Sequence, residues 1–211
     1  MVQQVDGATR GIVVIPDIWG LRPLYAQMVD DLAARTGCSV AAFEPFPGQD
    51  LPRASEPDAL AVRSVALRET VDERLLGDAV EAADLLGLAQ VGVVGFCMGG
   101  MYALKASALD RFDRAVSFYG MIRVPDDWAS SGQGEPLDAV ARRGDTPVLA
   151  IIGTVDGYTP PEDVDALESL GVECVRYEGA DHGFVHDPAR PAHRAEYAAD
   201  AWARSDELLR G

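Results

Sequence analysis

The 211-residue sequence predicts an α/β fold: a mainly parallel central sheet with helices on both faces, in three αβα layers. Two observations carry this. Short runs rich in Val and Ile alternate with longer amphipathic stretches, the pattern of successive βαβ units. Several runs are almost continuously apolar, as strands buried on both faces are. The length suits one domain, and residues 1 to 211 are taken as a single folded unit.

Strands are expected over Gly11–Pro16, Cys38–Phe43, Val91–Gly95, Ala115–Phe118, Pro147–Ile152 and Val172–Tyr177. Leu24–Thr36 carries Leu24, Met28 and Leu32 at helical spacing, with Gly37 as the stop. Ala59–Leu86 reads as one long helical stretch broken near Gly77, with Val62, Val65 and Val71 among its apolar positions. Met101–Ala108 is compatible with a helix, Pro160 and Pro161 open another, and the last is expected over Pro191–Leu209. The longest irregular segment, Met121–Thr146, is a surface excursion that either rims a site or hides a short helix.

A net charge of −16 and a pI near 4.4 exclude nucleic acid and anionic membrane as natural partners. The same field repels a small anionic substrate unless a local Arg or His receives it. The first ten residues lack the basic and apolar regions of a signal peptide, and no run approaches the ~20 apolar residues of a membrane span, so a cytoplasmic location is expected. Cys38, Cys97 and Cys174 are odd in number, widely spaced and without zinc-ligand spacing, which suits reduced thiols.

The most informative segment is Gly95-Phe96-Cys97-Met98-Gly99-Gly100, between a strand and a helix. It matches the G-x-nucleophile-x-G turn with Cys as the nucleophile. A sharp strand-to-helix turn strains the central residue, and flanking glycines leave room for the close chain approach. The backbone N–H of Met98 then stands at a helix N-terminus, where it can donate to an oxyanion and where the dipole favours a thiolate. An isolated apolar-flanked Cys would read as a buried structural thiol; the glycine frame points the other way. A phosphate-binding turn is disfavoured because neither G-x-G-x-x-G nor a Walker lysine is present.

In folds with such a turn, an acid and then a histidine follow on later strand exits. Asp156, in Gly153-Thr154-Val155-Asp156, occupies the first exit, although Asp near Gly and Pro also serves in turns and caps. His182, in Asp181-His182-Gly183-Phe184, follows the last strand, whereas His186 and His193 come later. Asp181 ranks below Asp156, because adjacent side chains in extended backbone point to opposite sides. A second oxyanion donor belongs to the loop Ile15-Pro16-Asp17-Ile18-Trp19-Gly20, where Asp17 either caps the next helix or lies close to Cys97.

Together these segments resemble the dienelactone hydrolase (carboxymethylenebutenolidase) family, a cysteine-nucleophile branch of the α/β-hydrolases, from about Gly11 to the C-terminal helix. The resemblance implies an α/β-hydrolase fold and a Cys97, Asp156 and His182 triad. It also implies an oxyanion hole from the N–H groups of Ile18 and Met98, and Asp17 in the place of a thiol-modulating Glu, one methylene shorter. It further places Trp19 and Tyr119 at the substrate, core packing remaining the alternative for Tyr119. His186 stands where relatives hold a substrate carboxylate with Arg, and Arg53 is the candidate for a second such arginine. The expected activity is that of a carboxylic ester hydrolase cleaving a small-molecule ester or lactone through a thioester, with no cofactor or metal, as a monomer or homodimer. A thioesterase, a general carboxylesterase and a non-catalytic ligand-binding member are the alternatives.

Overall fold

The computed structural model describes residues 1–211. Seven strands form one sheet: β1 (Val2–Gln3), β2 (Arg10–Ile15), β3 (Ser39–Ala42), β4 (Gln90–Phe96), β5 (Arg114–Phe118), β6 (Val148–Gly153) and β7 (Glu173–Tyr177). Their order is β1-β3-β2-β4-β5-β6-β7, and every pair is parallel except β1 with β3. The six expected strands are all present, with ends shifted by at most one residue. Only the two-residue edge strand β1 was not anticipated, being too short to carry a period.

Seven helices accompany the sheet: α1 (Pro23–Thr36), α2 (Ala59–Arg68), α3 (Asp72–Asp84), α4 (Met98–Ala106), α5 (Pro136–Ala141), α6 (Pro161–Ser169) and α7 (Ala195–Arg210). The long stretch expected over Ala59–Leu86 is two helices, interrupted near Val71 rather than at Gly77. Val71 is extended, at φ −90° and ψ 144°, and Asp72 and Glu73 then fill the first turn of α3, where the helix dipole favours carboxylates. Gly77 lies inside α3, and a Cβ there would meet nothing within 4 Å. The inward face of α2 is also not the valine face: it buries Ala59, Arg63, Ala66 and Leu67 and leaves Val62 and Val65 exposed. The last helix starts at Ala195, not Pro191, and the excursion 121–146 does contain a short helix, α5.

The chain adds β3 on one side of β2, then crosses back to add β4 on the other. Connections leaving β2 and β4 therefore diverge, opening a crevice at the carboxyl ends of adjacent strands, where ligands bind in open parallel sheets. Ile15 pairs with Gly95 at that edge, so the exits of β2 and β4 are side by side. The exits of β5, β6 and β7 follow along the same edge, because all these strands are parallel.

The β4–α4 turn has no spare volume. A Cβ on Gly95 would lie 1.9 Å from the Gly99 carbonyl oxygen, and one on Gly99 would lie 2.1 Å from that of Ile15. Gly95→Ala is expected to cost about 3 kcal/mol or more by overpacking against backbone that cannot give way. Gly77→Ala, into open space, should be neutral or stabilise by up to about 1 kcal/mol. Urea denaturation of the two variants checks the contrast.

Candidate active site

Cys97 joins β4 to α4 with φ 57° and ψ −119°, one of three non-glycine residues with positive φ. Such backbone persists only where the surroundings over-determine it. Here the Cys97 N–H donates to the Phe118 carbonyl at 3.0 Å, while Gly99 packs on the end of β2 and Gly100 on the chain leaving β5. Cys97 as a residue is 9 % exposed and lines a cavity of about 560 Å³. Met98 is the first residue of α4, so its N–H has no intrahelical acceptor.

Asp156 and His182 stand on the loops after β6 and β7. Those loops touch through Gly153, whose missing side chain leaves room for the Ala180 carbonyl. The fully buried Asp156 carboxylate accepts the Tyr158 N–H on Oδ1 at 2.9 Å and faces His182 Nδ1 from Oδ2 at 2.8 Å. Asp181 is exposed and accepts the backbone N–H of His182 at 2.7 Å, so Asp156 and not Asp181 orients the ring. The imidazole is flanked by Tyr158 and Tyr119, with ring centroids at 4.9 and 5.3 Å. Its Nε2 is buried without a hydrogen-bonding partner, beside the cavity that Cys97 also lines. Burial alone would push the imidazole pKa down; the Cys97 charge and the hydrogen bond to Asp156 outweigh it and raise the value to about 10.

The third exit, after β2, carries a buried polar network. Arg22 holds the Asp17 carboxylate in a fork, at 2.7 Å to Oδ1 and 2.9 Å to Oδ2. Oδ1 also accepts the Trp19 N–H, and Oδ2 lies 2.9 Å from His186 Nε2. The Tyr119 hydroxyl accepts the backbone N–H of His186, so its own proton is free for His186 Nδ1. These directions assign a neutral His186 protonated on Nε2, and burial, which pulls its pKa down despite Asp17, agrees. Burial raises the Asp17 pKa, but His186 and Arg22 together hold it down at about 2. Arg63 reaches in from α2 to donate to the Ile18 carbonyl at 2.9 Å, while the Ile18 N–H meets no protein acceptor.

The structure thus brings Cys97, His182, Ile18 and Trp19 together at one cavity, with Asp156 buried behind His182. Tyr119 and His186 lie beneath the floor rather than in its lining, and both are wholly buried. Asp17 makes no hydrogen bond to Cys97, because Arg22, His186 and Trp19 occupy its oxygens. Arg53 is exposed on the loop before α2 and takes no part in the lining. Lining residues that sequence reasoning missed include Leu60, Met121, Trp128, Tyr158, Arg190 and Arg194. Trp128, a large apolar residue within the polar excursion 121–146, was the signal available for one of them. No group of three or more His, Cys, Asp or Glu side chains converges to hold a metal ion, and no helix is long and apolar enough to cross a membrane.

The sheet, its crevice and the strained turn define an enzyme of the α/β-hydrolase fold. The family model of the dienelactone hydrolase family matches residues 1–211, and the chain belongs to that family of carboxylic ester hydrolases. Carboxymethylenebutenolidase of Rhodococcus opacus is 30% identical over 213 residues, covering 96% of this chain and 81% of that protein. A Synechocystis sp. protein assigned as a carboxymethylenebutenolidase is 33% identical over 126 residues, which span 57% of this chain and half (50%) of that relative. A solved Klebsiella pneumoniae structure, assigned as a dienelactone hydrolase, superposes with a TM-score of 0.84 at 24% identity, covering 98% of this chain and 89% of that one.

The depressed Asp17 pKa has a definite sign. A carboxylate held below its unfolded value of 3.8 contributes stability above that pH and loses it as the pH falls toward about 2. The stability difference between wild type and Asp17→Asn is expected to narrow by about 2 kcal/mol between those limits. Urea denaturation at stepped acid pH measures it.

Proposed function

We propose that this chain hydrolyses carboxylic esters or enol lactones of small molecules through a thioester on Cys97. The observation that carries the proposal is the buried, unpartnered His182 Nε2, backed by Asp156 and standing at the same cavity as the strained Cys97. The activity named for the Rhodococcus opacus relative supports it.

The steps balance with water as the only co-reactant. The Cys97 thiolate attacks the carbonyl carbon, and the charge that collects on oxygen is received by the N–H groups of Ile18 and Met98. Collapse breaks the bond to the leaving oxygen, which takes the proton from the His182 imidazolium. Neutral His182 then takes a proton from water, and the resulting hydroxide attacks the thioester. The acid departs, the thiolate is released and the imidazolium is restored. Asp156 stabilises that imidazolium and fixes the ring so that Nε2 faces the reacting atoms.

The cavity also suits a substrate bearing a negative group. Arg190 is half-buried in the lining and makes no ion pair, although the chain carries a net charge of −16. It takes up the role that the resemblance assigns to an arginine at position 186, where this sequence has a buried His. An acidic protein needs such a local cation to hold an anionic ester.

Cys97→Ala is expected to lower kcat for 4-nitrophenyl acetate by about a thousandfold or more. Because the His182 imidazolium is lost only as the pH rises through about 10, kcat/KM should fall along an alkaline limb near that value. Asp156→Asn, which removes one of the interactions raising that pKa, should move the limb to lower pH. Unchanged turnover in Cys97→Ala would overturn the proposal.

A further inference from the structure

The cavity at Cys97 shares its aromatic wall with a neighbouring one. Trp19, Leu60, Trp128 and Tyr158 line it and equally line a second lobe of about 820 Å³, larger than the first. These walls are held in place: Arg63 lies over the Trp19 ring at 5.7 Å, and Trp128 Nε1 donates to Ser64 Oγ at 3.0 Å. The floor of the second lobe comes from α2, which turns Leu60 and Val65 outward with 45% and 44% of their surface exposed. Its rim carries Glu56, Asp58 and Asp127 against a single Arg68. An apolar floor between aromatic walls favours an apolar guest, and the acidic rim disfavours an anionic one.

We propose that this second lobe binds an extended uncharged arm of the substrate, an alkyl chain of several carbons or an aromatic ring, attached to the carbonyl that stands over Cys97. The inference rests on the hydrolase reading and narrows its substrate class to esters with a long or aryl arm. The outward-turned Leu60 and Val65 of α2 then form the floor of a binding groove. The arm can belong to the acyl or the alcohol half of the ester, because both are bonded to the carbonyl carbon.

Two substrate series separate those halves: 4-nitrophenyl esters from acetate to decanoate, and alkyl acetates from ethyl to decyl. In one series kcat/KM is expected to rise roughly two- to fourfold per methylene until the lobe is filled. Ala61→Trp, at an exposed lobe position on α2, should flatten that rise by occupying the space. A second measurement is independent of turnover. Affinity for acetamide against decanamide, and for ethyl against decyl N-alkyl acetamides, is read from tryptophan fluorescence and should increase with length in the matching series.

Cys97-dependent turnover of the acetate, with both ester series flat and no gain in amide affinity, would overturn the lobe assignment and leave the hydrolase reading intact. No ester turnover, with amide affinity that rises with length and is lost in Ala61→Trp, would overturn the hydrolase reading and support the lobe. A length dependence unchanged in Ala61→Trp would place the arm elsewhere and overturn the inference.

Discussion

The turn at Cys97 is the constraint around which the site is arranged. A non-glycine residue at φ 57° costs on the order of 1–3 kcal/mol, so something must hold it there. On one side is β4, paired along its length with β2 and β5; on the other is α4, buried throughout. Both must approach the turn so closely that Gly95, Gly99 and Gly100 have no room for a side chain, and Gly120 opposite them has none either. The strain at one residue is thus offset by regular structure on both sides, and its product is a thiol presented at the crevice between diverging strand exits.

Beneath that thiol lies a second constraint of a different kind. Asp17, Arg22, His186 and Tyr119 form a buried chain of hydrogen bonds in which the one full negative charge is met by one full positive charge. Burying Asp17 would be prohibitive without these partners. The chain fixes the loop bearing the Ile18 N–H from one side, and Arg63 grips the Ile18 carbonyl from the other. Tyr119 links this network to the imidazole, since its ring edge meets His182 while its hydroxyl meets His186. The short reach of Asp at position 17 is consistent with its carboxylate staying with Arg22 and His186 and making no hydrogen bond to the thiol.

Much of this was legible in the sequence, for reasons that differ by residue. The buried strands announce themselves because apolar runs bounded by turns have few other uses, and the G-x-C-x-G turn because its glycines are demanded by contact distances. Asp156 and His182 follow from the order of strand exits, which parallel topology makes a spatial order. The break within 59–84 was legible but its place was not, because apolar periodicity runs on across Val71, where the interruption depends on Asp72 bonding to Lys105 and to the Gly134 N–H far away in sequence. The cavity lining was hidden for the same reason. Arg190, Trp128 and Leu60 come from three separate segments that no local pattern connects, and Arg63 is buried against expectation because backbone carbonyls of Leu51, Pro52 and Ile18 receive it.

In the proposed reaction the strained residue is the one that bonds to substrate. Rapid quenching of the reaction with a slowly released 4-nitrophenyl ester, followed by peptide mass spectrometry, tests it directly. A single acyl adduct is expected on the peptide containing Cys97, absent from Cys97→Ala and longer-lived in Asp156→Asn. Steady turnover with no adduct on that peptide, or with the acyl group carried by another residue, would contradict it.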